Sequence, residues 1–219
     1  MRSNKKGMEK IHRLSQLFDN QIEILKNLGC PKKVIDILRQ RSLQDRVIGA
    51  CLQIKLHPNR IPFIPVITPA HCSVDVLMTM VRNGKEKGDV YPQIMSDRYP
   101  IIEAVGSQPF LRTYFDPYYA INIEDGTRTK GVDTRKACRK ILLSGRSPLT
   151  VAESISLCIQ TDVLSRHYLW AAGSRWEKEN KIPTIWLTSF GCTPRLGKEF
   201  IDDCHESLWG TPSCWERVG

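Results

Sequence analysis

The residues best suited to chemistry gather in the last third of the chain. Cys192, Cys204, His205 and Cys214 are soft metal donors spaced C-x11-C-H-x8-C. Zinc takes four such groups at tetrahedral corners, and structural sites supply them as closely spaced pairs. The single close pair is the adjacent Cys204-His205, whose side chains diverge, so the spacing argues for packed thiols and a surface histidine and no bound metal. A second arrangement is Cys72 beside His71, directly before a helix that Ser73 would cap. An activated cysteine needs a base and a positive or helix-terminal environment, but adjacent residues point apart, and no G-x-S-x-G or H-E-x-x-H signature accompanies them. Catalytic residues therefore stay unassigned.

The third arrangement is the one we favour as a ligand site: Gly173-Ser174-Arg175 with Arg146 and Arg195. Glycine permits close backbone approach, serine offers a hydroxyl, and an arginine fork matches a carboxylate or phosphate. The structural alternative is that Arg175 pairs with Glu177 or Glu179 across a hairpin, and that Arg146 serves the end of the preceding helix. No G-x-x-x-x-G-K-[ST] or G-x-G-x-x-G loop occurs, so nucleotide chemistry has no support and no cofactor is expected. Trp170, Trp176, Trp186, Trp209 and Trp215 cluster late in the chain. The strand patterns around Trp170 and Trp186 make them core and lid residues and not a stacking platform.

Several of these residues sit in recurring blocks. R-S-P-L-T-x-x-E from Arg146, G-S-R at 173–175, I-P-x-I-W at 182–186, P-R-L-G at 194–197 and W-G-T-P-S-C at 209–214 together resemble a bacterial domain-of-unknown-function family with no assigned activity. The resemblance covers residues 60–214 in scattered blocks and is densest after Arg146. Between the last two blocks the Trp- and Gly-rich stretch usual in the family is replaced here by K-E-F-I-D-D-C-H-E-S.

The elements that must hold these residues read clearly in places. From Met8 to Leu28 apolar residues recur at steps of three and four, the stripe of an amphipathic helix. Gly29 ends it, and Pro31 opens a second helix through Leu38. The two make a helical hairpin that packs on the main domain or forms a homodimer face, and a third helix runs from Leu43 to Leu56. Ile61 to Ile67 reads as a strand that Pro62 and Pro65 confine to a sheet edge or exposed flank. A helix capped by Ser73 follows, then an apolar, weakly periodic loop from Lys85 to Tyr114. Asp116 to Glu124 is a strand with Tyr119, Ile121 and Ile123 on one face, and Asp125-Gly126 turns the chain. Asp133 caps a helix ending at Gly145. Thr150 and Glu153 spell a capping box for a helix reaching about Leu164. Tyr168 to Ala172 and Ile182 to Thr188 form a closing hairpin. The order predicts an α+β fold, a mostly antiparallel sheet with helices on one face, with residues 1–57 as a helical segment and 58–219 as the core domain.

Composition narrows the function classes. At 219 residues, 41% hydrophobic and 25% charged, the chain is an ordinary soluble globular protein. No apolar run is long enough to span a bilayer and the N-terminus lacks a signal-peptide core, which predicts a cytoplasmic protein without a membrane partner. Its eight cysteines form no C-x-x-C pair and are expected to be reduced. The net charge is +9, with eleven Lys and Arg against five Asp and Glu in residues 1–46. That surplus could meet nucleic acid, but the basic residues are interspersed with acids, which favours a solvated helix face. The leading expectation is a small-ligand or protein-binding accessory module with an Arg-containing pocket. The alternatives are an enzyme acting on a small anionic or amide-bearing substrate, and a nucleic-acid binder using the N-terminal helices.

Overall fold

Helix α1 (Arg2–Asn27) carries the predicted apolar stripe and buries Leu14, Phe18, Ile22 and Leu25. The computed structural model describes residues 2–91, 116–175, 180–189, 192–201 and 207–219, with side chains from residue 7 onward. After α1 the chain turns through Gly29 into α2 (Lys32–Leu38), with Pro31 immediately ahead of it, and continues into α3 (Arg41–Gln53).

Strand β1 (Ile61–Val66) pairs antiparallel with β5 (Tyr118–Ile123), and the C-terminal β12 (Glu216–Val218) pairs with the other side of β5. In this three-stranded sheet β1 is an edge, as its two prolines require. The edge is covered from α1: Gln21 Nε2 donates to the Phe63 carbonyl at 2.8 Å, both groups buried. Tyr119 of β5 stacks on Phe18 at 5.0 Å and meets Phe63 edge-on at 5.8 Å, while its hydroxyl reaches the Leu38 carbonyl at 3.3 Å. Side chains of α1, α2 and α3 thus share one apolar core with β1 and β5. All six residues of β5 are buried. Tyr119, Ile121 and Ile123 share one face of β5 as read, and the residues between them are buried as well, because this central strand is covered on both sides.

Between these strands lie the short helix α4 (Val74–Met78), the hairpin β2 (Arg82–Asn83) and β3 (Glu86–Lys87), and β4 (Asp89–Val90). Ser73 occupies the cap position of α4, but its side chain makes no capping bond. The remainder of the predicted loop, 92–114, lies outside the described residues.

A 3₁₀ turn at Thr127–Thr129 follows β5, and then α5 (Thr134–Leu143), whose first turn is capped by the Asp133 side chain accepting from Lys136 N at 2.9 Å. Gly145 N bonds to Leu142 O and Arg146 N to Ile141 O, the paired bonds of a Schellman ending, with Gly145 at φ +72°. After the two-residue β6 (Ser147–Pro148), helix α6 (Val151–Gln160) opens on the predicted capping box: Thr150 Oγ1 accepts from Glu153 N, and Glu153 Oε2 from Thr150 N at 2.8 Å. The helix stops at Gln160, and a 3₁₀ turn, Val163–Ser165, replaces its expected last turn.

A second sheet holds β7 (Tyr168–Trp170), β8 (Lys181–Leu187), β9 (Pro194–Phe200) and β10 (Trp209–Gly210) in the order β10-β7-β8-β9-β4. Its interior pairings are antiparallel, as predicted for β7 and β8, whereas both flanking pairs are parallel. The two-residue β11 (Ser213–Cys214) pairs with β6. The fold is α+β with a long N-terminal helix, and among the described residues no helix is long and apolar enough to cross a membrane.

Candidate polar cleft at the end of the central strand

The antiparallel register of β1 and β5 sets the first feature of the site. Ile61 at the start of β1 lies opposite Ile123 at the end of β5, so the loop 57–60 comes beside residues 124–128. Together with Arg166 they line a polar cleft of about 370 Å³ formed by His57, Asn59, Arg60, Glu124, Asp125, Thr127, Arg128 and Arg166.

Glu124 is fixed first through its backbone, which exchanges two 2.8 Å hydrogen bonds with Ser213. Its carboxyl is 6% exposed and accepts from Arg128 N at 3.0 Å. Burial raises its pKa, with the neighbouring Asp125 charge acting in the same direction against the backbone donors and Arg146. Asp125 goes the other way. Burial would raise it, but the Thr127 hydroxyl and amide and the Arg166 guanidinium outweigh that and lower its pKa. Its Oδ1 accepts from Thr127 N at 3.0 Å and its Oδ2 from Arg166 Nη1 at 2.9 Å. His167, 2% exposed, bonds through Nε2 to the Asp125 carbonyl at 2.9 Å. A carbonyl only accepts, so Nε2 carries the proton, and burial lowers the histidine's pKa. Two adjacent carboxyls are thereby set apart, one favouring its proton and one its charge.

The cations are set apart too. Arg166 pairs with Asp125 and, at 3.4 Å, with Asp162. Among the described residues neither the Arg60 nor the Arg128 guanidinium makes a hydrogen bond or ion pair. Both lie close enough to the buried Arg146 that their charges, after burial itself, pull its pKa down to about 10.

Arg146 is delivered by the Schellman ending of α5, and it is a brace. Nε donates to Ser213 Oγ at 3.0 Å, and Nη2 to the carbonyls of Asn122 at 2.6 Å and Ser213 at 2.8 Å. It holds β11 against β5 behind Glu124, while its Nη1 is buried without a partner among the described residues. Ser174 Oγ accepts from Val151 N at 3.0 Å, giving the first turn of α6 an acceptor for one of its free amides. A Cβ at Gly173 would come within 2.7 Å of the Leu149 backbone, so the G-S-R block is fitted to the R-S-P-L-T block. Arg175 neighbours the Cys138 thiol, and burial lowers its pKa; Glu177 and Glu179, its suggested partners, lie outside the described residues. Arg195 makes a two-point pair with Asp89 at 2.7 and 2.6 Å, joining β9 to the parallel β4. No hydrogen bond joins any of these four residues to another, and none lines the cleft.

Cys72 is buried and its thiol pKa is raised, by burial and then by Asp75, the direction opposite to activation. His71 faces Thr68 at 3.3 Å and Asp116 at 3.6 Å. Cys192 is exposed and Cys214 fully buried, whereas Cys204 and His205 lie outside the described residues. No group of three or more His, Cys, Asp or Glu among the described residues is placed to hold a metal.

Sequence reasoning passed over Glu124, Asp125, Arg60, Arg128 and Arg166. Two acids closing an apolar strand before a glycine were the available signal, and they read equally well as a turn. No curated protein and no solved structure matches the chain. Residues 25–218 match a family of unknown function, DUF5701, and the chain belongs to it.

Proposed function

We propose that this protein is a small-ligand-binding or accessory module that takes an anion in the cleft at the end of β5. The observation that carries this reading is the pair Arg60 and Arg128, two guanidiniums on one cleft without a carboxylate partner among the described residues. Arginine forks left unneutralised beside a third, buried arginine repel one another, and an oxyanion between them removes that repulsion. The four arginine and serine positions favoured from the sequence then serve as the scaffold behind and beside the cleft.

A second reading, an enzyme acting on a small anionic substrate, is favoured by Glu124. A buried carboxyl with a raised pKa, next to one with a lowered pKa, is the pattern of a general acid beside a fixed charge. A cytoplasmic setting goes with either reading, on the strength of eight cysteines without a C-x-x-C pair.

Thermal melting with inorganic phosphate tests the binding reading. Ligand at about a hundred times its Kd should add about 2.7 kcal/mol of stability, and Arg60→Ala/Arg128→Ala should remove the gain while melting normally without ligand. An unchanged gain in the double variant would place the anion elsewhere.

A further inference from the structure

We propose that the cleft selects a hydrogen-bearing oxyanion, with inorganic phosphate as the type ligand, over sulfate and over fully ionised phosphate monoesters, because Glu124 shares one proton with the bound anion. This rests on the anion-binding reading and deepens it. The cleft offers Arg60, Arg128 and Arg166 as donors, with His57 and Asn59 also lining it, and these fit any tetrahedral oxyanion. Glu124 does not fit every one. The residue lines the cleft and is 6% exposed, its backbone is paired with Ser213 in both directions, and its Oε1 accepts from Arg128 N at 3.0 Å, which holds the carboxyl at the cleft.

The groups facing that carboxyl come from each neighbouring element. Arg128 and Asp125 are on its own turn, His57 and Arg60 precede β1, Arg166 precedes β7, and Arg146 reaches it from the end of α5. Asp125 already engages Arg166 and the Thr127 amide, so Glu124 is the carboxyl left to meet the anion. An ionised carboxylate against an anion is repulsive unless a proton lies between them. Hydrogen phosphate brings that proton and donates it as a hydrogen bond to Glu124. Sulfate brings none, and a phosphate monoester, with a second pKa of about 6, has lost its own above neutrality. Those ligands bind only when Glu124 itself is protonated, a form that burial favours but that becomes scarce as pH rises.

Isothermal titration of the full chain with potassium phosphate, potassium sulfate and glycerol phosphate at about pH 8 tests this. Phosphate should bind roughly ten- to a hundredfold tighter than sulfate, the worth of one charge-assisted hydrogen bond. In buffers of different ionisation enthalpy, sulfate binding should take up about one proton and phosphate binding none. Glu124→Gln, whose amide can donate to sulfate, should tighten sulfate and bring the two anions within about twofold. Equal affinities in the unaltered protein, or a selectivity that survives Glu124→Gln, overturn the proposal and leave anion binding standing. No association of any anion overturns both readings, and the buffer comparison keeps the test decisive if the variant fails to fold.

Discussion

Glu153 and Arg217 form a two-point ion pair inside the protein: Nε stands 2.6 Å from Oε1 and Nη2 3.0 Å from Oε2, with the two side chains 0% and 7% exposed. The same carboxylate accepts from the Tyr118 hydroxyl at 2.7 Å and from Thr150 N at 2.8 Å. One residue therefore closes the capping box of α6, bonds to the central strand and anchors the C-terminal strand. Burial raises the Glu153 pKa, but the Arg217 charge and the hydrogen bonds outweigh it, and the net shift is downward.

Breaking this pair from one side leaves a buried charge without its partner. Arg217→Ala should cost about 3 to 5 kcal/mol in urea unfolding, whereas replacing both residues with apolar ones should cost less than the single change. The pH dependence follows from the lowered folded pKa. The Glu153 contribution is fully present above its unfolded value of 4.5 and is lost as pH falls below that toward the folded value. An Arg217→Ala variant whose unfolding midpoint matches the unaltered protein would contradict this account.

Glu124 has the opposite sign. Its folded pKa lies above 4.5, so its contribution is most favourable below 4.5 and is lost as pH rises through the folded value. Glu124→Gln keeps an acceptor for Arg128 N and removes the charge. It should stabilise the protein at neutral pH by about 0.5 to 2 kcal/mol, the usual gain on relaxing a functional position, and the gain should vanish in acid. Melting curves of both proteins across that range decide it.

The sequence made local structure legible and left the site obscure, for one physical reason. Capping at Thr150, the turn at Gly29, the Asp133 cap and the edge placement of β1 depend on residues within a turn of one another, and all appear as read. Arg146 bonds to Ser213 and Arg195 to Asp89, partners 67 and 106 positions away. An arginine that braces and one that binds ligand have the same local surroundings, so spacing could not separate them. The cleft joins residues 57–60, 124–128 and 166, and only the β1–β5 register brings the first two groups together. Strand β9 escaped notice because P-R-L-G read as a motif block, although the antiparallel ladder with β8 runs its whole length.

Two glycines provide a packing test of the cleft's outer turn. A Cβ on Gly210 would lie 2.8 Å from the Gly126 carbonyl carbon, backbone that cannot rotate away, and Gly126 itself sits at φ +101°. Gly210→Ala should therefore cost about 1 to 3 kcal/mol and weaken phosphate binding by displacing the turn that carries Arg128. Gly49, inside α3 with nothing within 4 Å of an added methyl, is the control. Gly49→Ala should stabilise by about 0.5 to 1 kcal/mol. Equal denaturation midpoints for the two variants would sink the argument.

Brace and ligand group among the arginines respond differently to substitution. Arg146 supplies three hydrogen bonds through two nitrogens set at a fixed angle, a geometry that lysine cannot copy. Arg146→Lys keeps the charge behind the cleft but deprives the Asn122 and Ser213 acceptors of their donors, which should cost about 2 to 4 kcal/mol. Phosphate affinity, measured where the variant is still folded, should fall by less than about tenfold. Arg195→Ala loses a pair whose side chains are 29% and 43% exposed, so it should cost less than about 1 kcal/mol and leave phosphate binding unchanged. Arg128→Ala should do the reverse of Arg146→Lys: its exposed side chain holds no partner among the described residues, so melting stays put while binding drops by at least about tenfold. Should Arg146→Lys abolish binding with stability intact, Arg146 would be a ligand group and its place in the scaffold would have to be given up.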